Sequence, residues 1–263
     1  MDFSSSHILM TASNAVQDRV LQNLLKPYNL HLTFCAFDSG EILHHLQQQA
    51  YDAVVVRCSD SDLSCSMLLS QYNLYRSTDA EEVFRKPAVP FLAILPGADP
   101  VRRQTLLNSG YADVLYQPFS EYQLITRLAE HIRSRHTLLA RREKTLYDHF
   151  SELLLALSCP AHLHGFHYLC CCLVYLTENP AAQHQLTQVL YPHIAAQANT
   201  SAGNVERAMR TALDYIEQYA DRQLLCELLP ACLSRPRGRR RSFCTSELLA
   251  AILRQDMHLR IPG

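Results

Sequence analysis

The sequence predicts an α/β domain with a five-stranded parallel sheet, followed by an all-α domain that contains a helix-turn-helix. Three observations support this prediction. In the first half, short apolar runs alternate with segments of helical periodicity, as in a parallel sheet covered by helices on both faces. The second half shows helical patterns without strand alternation. Within that half, a short helical segment, a polar turn and a long amphipathic helix follow one another.

Short apolar runs place five strands in the first domain. They are bounded by polar or turn-forming residues, and their β-branched and aromatic side chains favour extended structure. The runs are HILMT, LTFCAF, YDAVVV, PFLAIL and ADVLY. Five strand–helix units of this length are typical of a flavodoxin-like, doubly wound sheet.

A helical segment follows each strand. Ser39 is a candidate cap for the second segment, and Pro100 suits the first turn of the fourth. The segments run from about Ala15 to Leu25, from Ser39 through Leu46, over DLSCSMLLSQYNLY, from Pro100 to near Gly110, and from Glu121 onward.

Helical periodicity continues through the second half of the chain. The predicted segments are Lys144–Leu157, Leu163–Leu176, Gln183–Leu190, Ile194–Ala198, Ser201–Tyr219 and Ser246–Gln255. We therefore place a first domain at residues 1–135 and a compact helical domain at residues 145–263. The charged linker between them, residues 136–144, either continues the fifth helix or forms a flexible tether.

The stretch IAAQANTSAGNVERAM, residues 194–209, has the pattern of a helix-turn-helix. Asn199 tolerates a positive φ and stands where the chain must reverse. Thr200 and Ser201 are candidate N-caps for the helix that follows. Along that helix, apolar side chains recur at the spacing of one buried face: Val205, Ala208, Met209, Ala212 and Ile216.

Polar residues occupy the opposite face of the same helix. Gly203, Arg207 and Arg210 lie on it, with Asn204 and Glu206 at its flanks. A helix that has such side chains near its start, and that is supported on its other face by a preceding helix, can contact base edges in the major groove of DNA. An ordinary amphipathic surface helix has the same pattern, so spacing alone leaves both interpretations open.

Composition indicates a globular protein without an export signal or a membrane span. The 263 residues are 48% hydrophobic and 19% charged, and no apolar run is long enough to cross a bilayer. The N-terminus lacks the basic start of a secretory signal, so we predict a cytoplasmic location and free thiols for the ten cysteines. The formal net charge is −1, yet residues 140–263 hold 13 basic and 11 acidic side chains. This slight basic excess lies where a DNA contact would need it.

The second half resembles the DNA-binding effector domain of the sporulation response regulators, the stage zero sporulation protein A family. The resemblance covers about residues 145–260 and is carried by CPAHLHGFHYL, by VLYPHIAAQANTSAGNVERAMRTALDYI and, more weakly, by CTSELLAAILRQDMHLR. It implies that the helix beginning near Ser201 is the recognition helix. The base-contacting and phosphate-contacting positions that it implies are Gly203, Asn204, Glu206, Arg207 and Arg210.

Three of these positions, Glu206, Arg207 and Arg210, keep the residue type of the family. Asn204 stands where the family has an arginine, and Gly203 replaces a serine. Arginine bonds guanine through two hydrogen bonds, whereas asparagine prefers adenine. The resemblance therefore implies the binding mode but not the preferred DNA sequence.

The first half resembles a receiver domain that has lost its phosphorylation chemistry. Receivers hold Mg²⁺ with an acidic pair after the first strand and phosphorylate an aspartate at the end of the third strand. They also use a hydroxyl residue after the fourth strand and a lysine after the fifth. In this sequence those positions read Ala12 and Ser13, Arg57, Leu95 or Pro96, and Gln117.

Phosphorylation is not expected at these positions. Without carboxylates Mg²⁺ has no ligand set, and the Arg57 guanidinium is not a nucleophile. Arg57 is interpreted either as a salt-bridged surface residue or as a fixed positive charge that mimics an activated state. Asp60 and Asp62 are alternative acceptors nearby. Pro118 is retained, and the resemblance implies a cis bond before it.

The densest basic run is RPRGRRR at residues 235–241. We interpret it as a loop that contacts DNA phosphates beside the recognition helix. A solvated charge cluster is the alternative. The expected phosphate contacts are Arg237, Arg239, Arg240 and Arg241.

Another cluster has the short Cys and His intervals of a zinc site. Its members are Cys159, His162, His164, His167 and Cys170. The effector domain that it resembles keeps a similar PAH-x-x-G-x-x-YL pattern without metal, so we predict no metal and no cofactor. Neither a GxSxG motif nor a P-loop is present, and we do not expect an enzyme.

Together these patterns predict a sequence-specific, DNA-binding transcriptional regulator of the sporulation response-regulator type that works without phosphorylation. The expected partner is double-stranded DNA, bound by a homodimer or by tandem copies. RNA polymerase is a further candidate partner, and no membrane contact is expected. The alternative is a protein-interaction module that titrates another regulator and binds DNA weakly or not at all. A metal or redox sensor based on the cysteines is a third interpretation.

Overall fold

The computed structural model of the chain describes residues 5–58, 63–77, 87–230 and 243–258. The chain forms two compact units, Met1–Ala140 and Arg141–Gly263. The first is an α/β unit, and the described part of the second is helical, as the sequence predicts. Among the described residues, no helix is long and apolar enough to cross a membrane.

The first unit is built on a five-stranded sheet. Its strand order is β2-β1-β3-β4-β5, and every neighbouring pair is parallel. This is the order of a flavodoxin-like, doubly wound sheet, and it confirms the predicted fold. The strands are β1 (Ser6–Thr11), β2 (Leu30–Cys35), β3 (Ala53–Arg57), β4 (Phe91–Leu95) and β5 (Asp113–Tyr116).

Helices connect these strands where helical periodicity predicts them. Asp38 caps the second helix, one residue before the predicted cap Ser39, because its carboxylate reaches the Glu41 N–H at 2.9 Å. The helices are α1 (Ala15–Leu25), α2 (Ser39–Gln48), α3 (Leu63–Ser77), α4 (Pro100–Asn108) and α5 (Glu121–Ala156), with a 3-10 turn at Lys26–Tyr28.

Both faces of the sheet are buried, because alternate side chains of a strand point to opposite faces. One face packs against α1 and α5, and the other against α2, α3 and α4. This explains why the strands read as continuous apolar runs in the sequence. The first face includes Ile8, Met10, Val55, Leu92 and Ile94, and the second includes Leu9, Val54, Val56, Phe91 and Ala93.

The α5 helix runs without interruption for 36 residues. The chain passes from the first unit to the second within this helix, between Ala140 and Arg141. Of the two alternatives for residues 136–144, the structure shows the helical one.

The described part of the second unit combines short helices with the longer helices α6, α8 and α10 and the end of α5. The predicted helix Gln183–Leu190 is instead a 3-10 turn at Pro180–His184 followed by a π-helical turn at Leu186–Leu190. A further helix, Arg222–Leu228, was not predicted. The α-helices after α5 are α6 (His164–Glu178), α7 (Tyr191–Gln197), α8 (Ala202–Tyr219), α9 (Arg222–Leu228) and α10 (Thr245–His258).

A close crossing of α6 and α8 forms the centre of this unit. An ideal Cβ at Gly165 would lie 2.1 Å from the Ala208 carbonyl oxygen, so only glycine permits this approach. Ala208, predicted for the buried stripe of α8, is only half-buried because it lies at the edge of that stripe. The fully buried members are Val205, Met209, Ala212, Leu213 and Ile216.

Candidate nucleic-acid interface

The turn between α7 and α8 has the geometry that the sequence predicts. Asn199 adopts a φ of 49°, in the left-handed region that asparagine tolerates better than most residues. The Thr200 N–H then donates to the Ala195 carbonyl at 2.9 Å, which closes the turn at the end of α7. Ile194 and Ala195 are buried and anchor α7 to the unit. The helix-turn-helix geometry is therefore present at residues 191–219.

Of the two predicted caps, Ser201 is the N-cap of α8. Its backbone is extended and its hydroxyl accepts the Asn204 N–H at 3.3 Å. Thr200 has a different role, because its hydroxyl oxygen accepts a hydrogen bond from the Asn204 side-chain amide at 3.2 Å. The start of α8 is thus fixed by both hydroxyl residues.

The polar face of α8 is open to solvent. Gly203, Asn204, Arg207 and Arg210 are exposed, while Glu206 is half-buried. Apart from the adjacent backbone of α8, no atom of the described residues lies within 4 Å of the position that a Cβ at Gly203 would take. The opposite, apolar face of the helix packs into the unit. The structure therefore presents four of the expected contact positions on the side of α8 away from the core, with Glu206 at the border of the buried face.

The two arginines of this face differ in their surroundings. Arg210 pairs with Glu206 one helical turn earlier. The Arg207 guanidinium makes no hydrogen bond or ion pair with the part of the chain that the structure describes. Arg207 is therefore a solvated cation available to a ligand, and Arg210 is a cation held in place by a carboxylate.

Two groups of residues singled out in the sequence do not contribute to this geometry. Arg237, Arg239, Arg240 and Arg241 lie outside the described residues, so their phosphate contacts stay a prediction. The Cys and His residues with metal-like spacing are not gathered: within residues 5–58, 63–77, 87–230 and 243–258, no group of three or more His, Cys, Asp or Glu side chains could hold a metal ion. His167, for example, bonds the Tyr147 hydroxyl through Nδ1 at 2.5 Å.

At one edge of its sheet, the first unit brings together the positions that the sequence analysis compared with the phosphorylation site of receivers. Ala12 and Ser13 follow β1, Arg57 ends β3, and Gln117 follows β5. Leu95 ends β4 and is buried, whereas Pro96 is exposed. The bond between Gln117 and Pro118 is cis, as expected. The alternative acceptors Asp60 and Asp62 lie outside the described residues.

At this edge Arg57 makes a largely buried ion pair that the sequence did not reveal. Its Nη1 lies 2.5 Å from Asp18 Oδ1 and 3.3 Å from the Thr11 carbonyl oxygen. The exposed fractions of the Arg57 and Asp18 side chains are only 15% and 10%. Asp18 also accepts the Ser13 N–H at 3.0 Å. Arg57 is therefore salt-bridged, but it is not a surface residue.

Cys58, the residue after Arg57, forms a pair of buried thiols with Cys65. The sulfurs of Cys58 and Cys65 are 2.9 Å apart. The hydrogen bond between them, together with burial, raises the pKa of Cys58. These groups add no carboxylate to the edge, and a hard cation such as Mg²⁺ prefers oxygen ligands.

Comparison with known proteins agrees with this organisation. Residues 150–255 match the family model described as "Sporulation initiation factor Spo0A C terminal". Similar solved structures include the Francisella response regulator 1452 receiver domain, at 19% identity and a TM-score of 0.40, which covers 49% of this chain and 98% of that one. Full-length FixJ from B. japonicum aligns over 97% of this chain and 99% of its own, at 16% identity and a TM-score of 0.43.

A third similar structure is the receiver domain of the sensor histidine kinase PA1611 from Pseudomonas aeruginosa PAO1. It shares 24% identity at a TM-score of 0.38 and covers 49% of this chain and 98% of that one. The strand order of the first unit is by itself that of a flavodoxin-like sheet.

A receiver-type sheet followed by a helix-turn-helix unit defines a DNA-binding regulator of the response-regulator class. Within that class, the second unit is similar to the C-terminal part of a sporulation initiation factor, because residues 150–255 match that family model.

Proposed function

We propose that this chain is a sequence-specific transcriptional regulator that binds DNA without phosphorylation of its first unit. The observation that carries the proposal is the exposed polar and cationic face at the start of α8, opposite a fully buried stripe. A recognition helix must be both rigid and accessible in this way to enter a major groove.

The side chains of this face would make different kinds of contact with DNA. Arg207 is solvated and long enough to form two hydrogen bonds with a guanine edge. Arg210, held by Glu206, supplies a positioned cation for a base or a neighbouring phosphate. Arg237, Arg239, Arg240 and Arg241 would add sequence-independent phosphate contacts.

The surroundings of Arg57 support independence from phosphorylation. The position that would carry an acceptor carboxylate holds a guanidinium, paired with Asp18. Transfer of a phosphoryl group needs a nucleophile and a cation to balance the developing charge. The positions at which receivers supply these groups hold Ala12, Ser13 and Arg57.

Incubation with acetyl phosphate and Mg²⁺ tests this part of the proposal. We expect the intact mass of the chain to stay unchanged, because the acceptor position holds Arg57 and the Asp18 carboxylate beside it is engaged in an ion pair. Stoichiometric aspartyl phosphate, mapped by peptide mass spectrometry to Asp60 or Asp62, would contradict it.

Gel-shift titration at rising salt tests DNA binding. Arg207→Ala and Arg210→Ala are each expected to weaken specific binding by about 1–3 kcal/mol if the side chain contacts a base. Arg19→Ala is the matched control, since it removes one exposed positive charge from the first unit. Weak, salt-labile binding that none of these changes affects would favour the interaction-module alternative.

That alternative has one specific observation in its favour. Three apolar side chains on α1 are exposed at helical spacing: Val16, Val20 and Leu24. Such a stripe suits a protein partner, but it gives no reason for the polar face of α8. We therefore prefer the DNA-binding function, in which the first unit adds dimerisation or contact with RNA polymerase.

A further inference from the structure

We infer that Asn204 recognises an adenine in the bound DNA and that Thr200 is the positioning residue that orients its amide. This inference rests on the proposed DNA-binding function. It adds to that function the chemical identity of one base in the recognised sequence and the residue pair that selects it.

The position of Asn204 makes it a candidate base reader. It is the third residue of α8 and is exposed. In helix-turn-helix proteins the residues near the start of the recognition helix approach the base edges. Gly203, one residue earlier, has no side chain, so Asn204 is the first residue of α8 able to reach into a groove.

The amide of Asn204 is held before any DNA arrives. Its Nδ2 donates to the Thr200 hydroxyl oxygen at 3.2 Å. Its backbone N–H donates to the Ser201 hydroxyl oxygen at 3.3 Å, and the Thr200 N–H donates to the Ala195 carbonyl oxygen at 2.9 Å. A side chain with its backbone and amide already restrained loses less conformational entropy on binding.

The remaining hydrogen-bonding groups of Asn204 match adenine. After the bond to Thr200, the amide still has one N–H donor and a carbonyl acceptor. Adenine offers N7 as an acceptor and N6–H₂ as a donor in the major groove, whereas guanine offers two acceptors and cytosine a single donor. Only adenine satisfies both groups of Asn204 at once.

The charged neighbours cannot take this role. Arg207 and Arg210 donate hydrogen bonds and accept none, so they suit the two acceptors of guanine or a phosphate. Glu206 is already paired with Arg210. Asn204 is neutral, and its contribution should therefore change base preference without changing the salt dependence of binding.

The experiment first selects sequences bound by the full chain from a random DNA pool. Dissociation constants are then measured for duplexes in which each selected base pair is replaced in turn. For the unaltered chain, replacement of one particular A·T pair should weaken binding by about 5- to 150-fold, the range for a good two-bond base contact. Asn204→Ala should abolish discrimination at that pair alone and leave the salt slope unchanged. Asn204→Arg should change the preferred base there to guanine.

Variants of Thr200 separate positioning from general stability. Thr200→Val removes the hydroxyl with little change in volume and should reduce discrimination at the same pair, with discrimination elsewhere retained. Thr200→Ser keeps the hydroxyl and should restore the discrimination.

The possible failures are distinct. If the chain binds a specific sequence but Asn204→Ala still discriminates at every base pair, the inference is wrong. The proposed DNA-binding function would then still hold. Equal loss at all pairs in Thr200→Val, not restored in Thr200→Ser, would overturn the positioning role. If the unaltered chain selects no sequence, the inference and the proposed function are both wrong.

Discussion

At the scale of single residues, Arg57 shows how one substitution changes the chemistry of a whole edge of the sheet. An aspartate there would offer a nucleophile, whereas the guanidinium offers only hydrogen-bond donors. Asp18, in the first turn of α1, balances this charge at 2.5 Å. Arg57 and Asp18 therefore form a structural ion pair at this edge of the sheet.

Arg57→Ala is therefore expected to destabilise the first unit. It leaves the Asp18 carboxylate buried without its cation, and loss of one partner of a buried pair typically costs about 3–5 kcal/mol. Urea unfolding followed by circular dichroism measures the change. Arg19→Ala, an exposed site, should stay within about 0.5 kcal/mol. Equal effects of the two variants would show that the ion pair contributes nothing.

Buried thiols predict a pH dependence of stability. Burial raises the pKa of Cys35 and of Cys159 to about 11 and that of Cys170 to about 12. Above pH 9 the unfolded chain loses these protons while the folded chain keeps them. The free energy of unfolding should therefore fall as pH rises from about 9 through about 11.

Urea unfolding across this pH range measures the slope. Cys159→Ala should make it shallower, because one titrating thiol is removed. A free energy of unfolding that stays constant or rises above pH 9 would contradict the account.

At the scale of elements, the close crossing with α6 holds α8 in place. Gly165→Ala would place a methyl group 2.1 Å from the Ala208 carbonyl, against backbone that cannot move alone. We expect a loss of stability of about 1–3 kcal/mol, as for other overpacked cores. Gly203→Ala is the control on α8, because its Cβ meets no atom within 4 Å. Similar unfolding midpoints for the two variants would rule out a tight crossing.

The sequence predicted most elements because their signals are local. Asn199 and Ser201 mark the turn and the start of α8 through their own backbone and side-chain preferences. The π-helical turn at Leu186–Leu190 was predicted as part of an ordinary helix, since its apolar spacing resembles that of an α-helix. The α9 helix was missed because none of its residues is fully buried, so its sequence lacks the apolar stripe of a packed helix.

The site was predicted less completely, because some of its contacts join distant parts of the chain. Asp18 and Arg57 are 39 residues apart, and only the sheet brings α1 and the end of β3 together. The local signal for Asp18 was its place in the first turn of a helix that follows a strand. The hydrogen bond between the Thr200 and Asn204 side chains spans only one helical turn. It was not predicted, because Thr200 and Ser201 were both considered only as caps for backbone N–H groups of α8.

At the scale of the whole molecule, we propose that a second copy of the chain binds to a surface of the first unit. A groove of about 590 Å³ lies beside β5 and α5 and includes Phe119 and Tyr122. Arg103, Arg127 and Glu130 also line it. A surface that has apolar side chains and both signs of charge can complement itself across a two-fold axis.

Tyr122→Glu is therefore expected to weaken self-association by about tenfold or more, because the contact loses an apolar ring and a carboxylate must be desolvated. Sedimentation velocity over a range of concentrations measures this. Val16→Glu introduces the same charge at another exposed apolar site, on α1, and should have no effect. If Val16→Glu breaks the dimer and Tyr122→Glu does not, the contact uses α1.

The central claim is that α8 docks into duplex DNA with no phosphoryl switch in the first unit. Its most direct test is titration of a selected duplex with the chain, before and after treatment with acetyl phosphate and Mg²⁺, and with Arg207→Ala. The account predicts the same dissociation constant with and without acetyl phosphate, and binding at least about fivefold weaker for Arg207→Ala. Specific binding that appears only after acetyl phosphate treatment, or that Arg207→Ala leaves unchanged, would contradict it.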